Sequence, residues 1–155
     1  MSNSGAYAEA EDWVREKGLR RHFPGTLFRK DKLTVGQRAD GDDGLHEFDA
    51  ISENNRIVVS VKASTGLTKR GKYPSAKVSN ANAELLFLSL LKGKRRILVL
   101  TDPEFFEIFS RVSDGRRPKE VELLHVPLPA LLQSRVHAAR ETAAAEVSRT
   151  HSPPK

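Results

Sequence analysis

Asp49 and Lys62 are the two residues of this chain whose types and surroundings most clearly indicate chemistry. They lie in the stretch His46–Ser64, which has the pattern of two short strands joined by the polar turn Glu53–Asn55. Both are charged residues in an otherwise apolar hairpin, and a charge removed from water is costly unless it is paired or binds a metal ion. The two residues are therefore either an ion pair between strands or part of a metal site.

The period-two alternation of a strand assigns the residues of this hairpin to opposite faces. In the first strand it predicts Phe48 and Ala50 on one face, and Glu47, Asp49 and Ile51 on the other. In the second strand the residues expected to share one face are Ile57, Val59, Val61 and Ala63. The residues expected on the opposite face are Val58, Ser60 and Lys62. We therefore expect an acid on one strand to lie near a lysine at the end of the next.

The elements that must position this pair follow from the rest of the chain. A leucine-rich segment ending at Gly93 predicts a buried helix, and Pro103 is well placed to open another helix after an apolar run. The predicted elements, in order, are a helix over 6–17, a strand within 26–35, the hairpin, a helix from Ser79 or Asn80 to Gly93, a strand over 95–102, a helix from Pro103 and a strand over 121–129. This order predicts an α/β fold with a single mixed central sheet flanked by helices.

Two of the predicted helices carry acids that can approach the hairpin. On the first helix, Glu9 lies at the border of the apolar stripe, about 75° from its centre, whereas Glu11 lies more than about 100° away and is expected to face water. Glu84 is expected in the first turn of the leucine-rich helix. Both acids also have simpler explanations, since Glu9 can be an exposed helix charge and Glu84 can be an acid favoured by the helix dipole.

A basic segment follows the hairpin over residues 65–77 and contains no acid. Its glycines and Pro74 predict a loop, and a connection of this length in a compact domain is usually functional or mobile. The cations of this segment are Lys69, Arg70, Lys72 and Lys77. Four cations without an acid favour contact with phosphate over a merely solvated loop.

The composition bounds the class of protein. The 155 residues suit one globular domain, for which we predict residues 1–133, followed by a C-terminal helix and disordered tail over 134–155. The formal charge of +6 favours a polyanionic partner, although many basic proteins bind nucleic acid only incidentally. There is no cysteine, no long apolar run and no pattern of a signal peptide, which together predict a cytoplasmic protein without a membrane segment.

The order αβββαβ, an Asp on one core strand and an x-Lys at the end of the next resembles the PD-(D/E)XK nuclease superfamily. The resemblance covers Glu9 to Asp102, about two-thirds of the chain. It implies a restriction-endonuclease-like fold and cleavage of DNA, or sometimes RNA, with one or two Mg²⁺ ions. Asp49 matches the motif's Asp, Lys62 matches its Lys, and Glu9 would match the acid that the family often has on its first helix.

Ser60 departs from the usual motif, which has Asp or Glu at that position. One subgroup of restriction enzymes in the superfamily instead has Ser-x-Lys, and a Glu on the following helix supplies the missing acid. This chain has Ser60-Val61-Lys62 and then Glu84, at a longer separation that the basic segment can account for. The chain is therefore similar to the Ser-x-Lys variant of the family.

The resemblance implies a role for each site residue. Asp49, Glu84 and the carbonyl of Val61, helped by Glu9, would hold Mg²⁺, or Mn²⁺ in its place, to neutralise charge on the phosphate and activate a water. Lys62 would orient that water or stabilise the developing charge. A water on the metal would be hydrogen-bonded by Ser60. Glu47 flanks Asp49 and is an alternative to Glu84 as the second ligand.

Two other functions are compatible with the sequence. The loss of the acid at Ser60 is also typical of a degenerate nuclease fold that binds nucleic acid or a partner without cutting. The leucine-rich helix and the C-terminal segment also fit an interaction module. No separate specificity module is evident, so sequence-specific cleavage would need a homodimer, insertion loops or a partner subunit. His46 and His125 are single histidines at strand positions, and we expect both to be structural.

Overall fold

The computed structural model describes residues 4–66 and 71–150, which form nine regular helices and strands and one short 3-10 turn. These elements are α1 (Ser4–Glu16), β1 (Phe28–Gln37), β2 (Asp43–Ser52), β3 (Ile57–Lys62), α2 (Ser75–Ser89), β4 (Arg95–Leu100), α3 (Pro103–Ser113), β5 (Val121–His125) and α4 (Ala130–Thr150). The predicted order of helices and strands is confirmed. Within the described ranges, no helix combines the length and apolarity that crossing a bilayer requires.

The five strands form one open mixed sheet in the order β1-β2-β3-β4-β5. β2 runs antiparallel to both of its neighbours, β1 and β3, whereas β3, β4 and β5 run parallel to one another. The helices α2 and α3 connect the parallel strands and cover one face of the sheet, while α1 and α4 cover the other. The prediction of an α/β fold with a single mixed sheet between helices is therefore confirmed.

The alternation predicted for β3 is confirmed by the two cores that its side chains enter. Val59 and Val61 pack with α1 and α4, and Val58 packs with α2 and α3. The start of α3 also agrees with the sequence, because Pro103 is its first residue and the Asp102 side chain accepts a hydrogen bond from the Phe105 amide.

The alternation predicted for β2 is wrong, because the strand contains an extra residue. Arg29 pairs with Ile51, but Asp31, two residues on, pairs with Phe48, three residues back. Such a bulge resets the alternation. Phe48 therefore packs towards α2 and α3, whereas Ala50 lies in the core under α1 and α4. The bulge falls at the position of Asp49.

The start of α2 also differs from the prediction. The helix begins at Ser75, so Lys77 lies in its first turn and Glu84 lies well inside it. The buried residues Val78, Ala81, Leu85 and Leu88 form the apolar stripe that holds this helix on the sheet. Because Glu84 is remote from the helix terminus, the helix dipole does not explain its position.

The helix α4 crosses the boundary that the sequence predicted after residue 133. Its Leu132 and Val136 are buried in the core against α1 and the sheet. The helix is continuous to Thr150, so the disorder that the sequence predicts for the C-terminal tail is wrong for residues 148–150. Residues 151–155 lie outside the described part of the chain.

Candidate active site

Asp49 lies where β2 separates from β3. The two strands pair at Ala50 with Val59 and at Ile51 with Val58. Beyond that point the Oδ2 atom of Asp49 accepts a hydrogen bond from the Val61 amide at 2.7 Å, so a side chain takes the place of a backbone partner. The bulge and this bond together aim the Asp49 carboxylate at the fork between the strands.

The electrostatic surroundings of Asp49 oppose its ionisation on balance. Burial is the largest cause and raises the pKa of the Asp49 carboxyl above its ordinary value, while the Val61 amide bond lowers it. The nearby Glu84 raises the pKa further, and Lys30 and Lys62 lower it. The structure thus brings Asp49, Glu84 and Lys62 into one electrostatically coupled group.

Glu84 reaches this group from α2 and is only 17% exposed. Its Oε2 atom accepts a hydrogen bond from the Ser60 hydroxyl at 2.9 Å and lies 3.3 Å from Nε2 of His46. Ser60 itself is fully buried on β3. The carboxylate of Glu84 therefore lies beside the position at which the usual motif carries an acid.

The structure does not bring Glu9 to this group. Glu9 is an exposed residue of α1 whose Oε1 accepts a hydrogen bond from Arg135 on α4 at 2.6 Å. Glu11 faces the site instead and is 29% exposed, so the expectation that it faces water is wrong. Burial raises the pKa of Glu11 to about 7; among its neighbours, Asp49 raises it and Lys30 and Lys62 lower it.

Lys30 on β1 is a further charged residue that sequence reasoning missed. Its Nζ lies 3.4 Å from Oε1 of Glu47 and 3.9 Å from Oε2 of Glu11. Glu47 is 50% exposed and pairs with Lys30. Of the two candidates for the second ligand, Glu84 is the one coupled to Asp49.

Lys77 lies in the first turn of α2 and hydrogen-bonds to residues of the preceding loop. Its ammonium donates to the Thr65 carbonyl at 2.8 Å, the Thr65 hydroxyl at 3.0 Å and the Gly66 carbonyl at 3.4 Å. Burial lowers the pKa of Lys77 to about 8. Lys72 lies before α2 and is exposed, while Lys69 and Arg70 lie outside the described residues. Contact of these cations with phosphate remains a prediction.

Asp49 is electrostatically coupled to Glu84 and to Glu11, and carboxylate oxygens are the donors that Mg²⁺ prefers. Over residues 4–66 and 71–150, no three acidic or histidine side chains are already arranged as a metal cluster. Mg²⁺ commonly keeps several waters and takes only one or two carboxylates from the protein. Burial raises the pKa of both Asp49 and Glu11, and the Asp49 charge raises that of Glu11 further, so a bound cation would favour the ionised form of both acids.

The unusual pKa of Glu11 predicts how stability depends on pH when no divalent ion is present. The folded-state pKa of Glu11, about 7, exceeds the ordinary 4.5. The contribution of protonated Glu11 to the free energy of unfolding is therefore fully present below pH 4.5 and is lost as the pH rises through 7. Glu11→Gln removes this loss, and we expect its free energy of unfolding above pH 7 to exceed that of wild type by about 1–2 kcal/mol, after allowing for solvent screening.

Urea unfolding across this pH range measures the effect. Glu9→Gln is the matched control, because it removes an exposed acid from the same helix and should follow the wild-type curve to within about 0.5 kcal/mol. Equal pH dependence in wild type and Glu11→Gln would show that burial and the Asp49 charge do not raise the pKa of Glu11.

Comparisons with known proteins do not identify this chain. No family model matches it, and neither a curated protein nor a solved structure gives a match. The family resemblance therefore stays a hypothesis, and its support comes from the residues at the fork between β2 and β3.

Proposed function

We propose that this chain is a Mg²⁺-dependent nuclease of the restriction-endonuclease-like fold that hydrolyses phosphodiester bonds in DNA. The observation that carries the proposal is the hydrogen bond between Ser60 and Glu84 beside Asp49 and Lys62. A helix supplies a carboxylate at the place where the strand motif lacks one. The sheet order and the Asp on β2 followed by the Lys on β3 are consistent with it.

In this proposal each charged residue at the fork has a separate task. Asp49 and Glu84 would hold Mg²⁺, with Glu11 in the role first assigned to Glu9. The bound ion would supply charge neutralisation at the phosphate and a lower pKa for an attacking water. Lys62 would stabilise the negative charge that develops on the phosphate oxygens. The net charge of +6 supports a polyanionic substrate.

Lys62→Met tests the catalytic part of the proposal. The substitution keeps the apolar stem and removes the ammonium, which is not a metal ligand. We expect cleavage of plasmid DNA to fall by about 100-fold or more, while Mg²⁺ binding measured by titration calorimetry is retained. Lys119→Met is the control, because this exposed lysine precedes β5 at the opposite edge of the sheet.

The alternative function is decided by the same experiment. Wild-type protein that binds DNA with strong salt dependence, but neither binds Mg²⁺ nor cuts, would be a degenerate nuclease fold used for binding. Cleavage by Lys62→Met at the wild-type rate would contradict the role given to this residue.

A further inference from the structure

We propose that His46 is a positioning residue that holds the carboxylate of Glu84 in place for the metal. This inference rests on the proposed function and deepens it. His46 lies on β2, three residues before Asp49, and is mostly buried. Its place on the strand predicts only a structural histidine, and its role becomes visible through its contacts with α2.

The imidazole ring of His46 is fixed on two sides by aromatic rings. It stacks on Phe87 with 3.8 Å between ring centroids and an angle of 10° between planes, and it meets Phe48 edge-on at 4.9 Å. Glu84 and Phe87 are three residues apart on α2, so they share one face of that helix. The ring that stacks on Phe87 therefore presents its Nε2 to Glu84.

His46 and Ser60 act on the same oxygen of Glu84. Nε2 of His46 lies 3.3 Å from Oε2, and the Ser60 hydroxyl donates to that atom at 2.9 Å. Neither contact engages Oε1. Two partners from two different strands confine the carboxylate to one orientation, and only the unshared oxygen is left for another ligand.

The two contacts restrict the conformational freedom of the Glu84 side chain, which has to extend from α2 to the site. A Glu side chain has three rotatable bonds, whereas an acid at the position of Ser60 would be held by the buried strand itself. Fixing the rotamer in advance reduces the entropy that metal binding would otherwise lose. We therefore expect His46 to increase metal affinity without contacting the metal or the DNA.

Two substitutions separate this role from simple packing. His46→Phe keeps an aromatic ring to stack on Phe87 and removes the nitrogen, whereas His46→Gln keeps a polar donor and removes the ring. We expect His46→Phe to weaken Mg²⁺ binding by about tenfold in titration calorimetry and to raise the Mg²⁺ concentration for half-maximal cleavage equally, with KM for DNA unchanged. His46→Gln should stay within about threefold of wild type.

A crystal structure of metal-free His46→Phe provides a test that needs no activity. We expect Glu84 to leave the rotamer in which its Oε2 accepts from Ser60. Retention of that bond would overturn the inference, as would Mg²⁺ binding at wild-type affinity by the folded variant. If wild type neither binds Mg²⁺ nor cuts DNA, the proposed function fails, while the Glu84 rotamer still decides whether His46 positions it.

Discussion

Asp49→Asn should abolish Mg²⁺ binding and reduce Mg²⁺-dependent DNA cleavage by more than about 100-fold. Changes to groups that only support a metal ligand already cost 10–100-fold in affinity or activity, as orders of magnitude, so loss of a proposed ligand should cost at least as much. Asparagine retains an oxygen that can accept the Val61 amide bond, and the fork between β2 and β3 should therefore persist. Calorimetry with Mg²⁺ and a plasmid assay measure the two effects.

The stability of Asp49→Asn distinguishes a metal site from an ion pair. Burial opposes the charge of Asp49 in the metal-free protein, so the neutral side chain should be at least as stable as wild type at neutral pH. A structural ion pair with Lys62 would give the opposite result, because removal of Asp49 would leave the half-buried charge of Lys62 uncompensated. A clear loss of stability together with unchanged cleavage would contradict the proposed metal site.

Moving the carboxylate from α2 to β3 should first remove and then restore activity. Glu84→Ala is expected to lower cleavage by about 100-fold, because it removes a proposed ligand. Adding Ser60→Asp to that variant places an acid at the usual position of the motif, next to Asp49. We expect the double variant to regain at least about tenfold of the lost activity, since the metal depends on the presence of the charge and not on the element that carries it.

The controls for this exchange must show that the fold is retained. Ser60 is fully buried, so Ser60→Asp alone should be destabilised without metal and stabilised again when Mg²⁺ binds. Glu107→Gln, which changes an exposed acid on α3, should alter neither cleavage nor stability. No recovery in a folded, double-substituted protein would mean that Glu84 does not replace the acid missing at Ser60.

Local patterns in the sequence were sufficient to predict the order of helices and strands, the single mixed sheet and the alternation of β3. The regular spacing of apolar residues and the Asp102-Pro103 start of α3 act within a few residues of the chain. Local patterns singled out Asp49 and Lys62, and the resemblance to the PD-(D/E)XK superfamily added Ser60 and Glu84 to them. The residues Val78, Ala81, Leu85 and Leu88 carry the helical spacing from which the earlier start of α2 is predictable.

The acid of α1 that faces the site is set by long-range packing. Glu9 and Glu11 are two residues apart, so they point about 200° apart around the helix. The helix α4 packs on the side that carries Glu9, where Arg135 binds it, while Lys30 of β1 lies on the side of Glu11. Helical periodicity defines the buried stripe but does not determine which neighbour occupies each flank.

The bulge in β2 and the contacts of His46 have the same origin. Both depend on the register of β2 against β1 and on the placement of α2 over the sheet, which join residues far apart in the chain. Short-range spacing along the chain was therefore enough to predict the architecture, and the family resemblance supplied most of the candidate residues. Long-range packing sets the orientation of the Asp49 carboxylate, the position of Glu11 at the site and the contact of His46 with Glu84. Each of these needs a partner that local spacing does not specify.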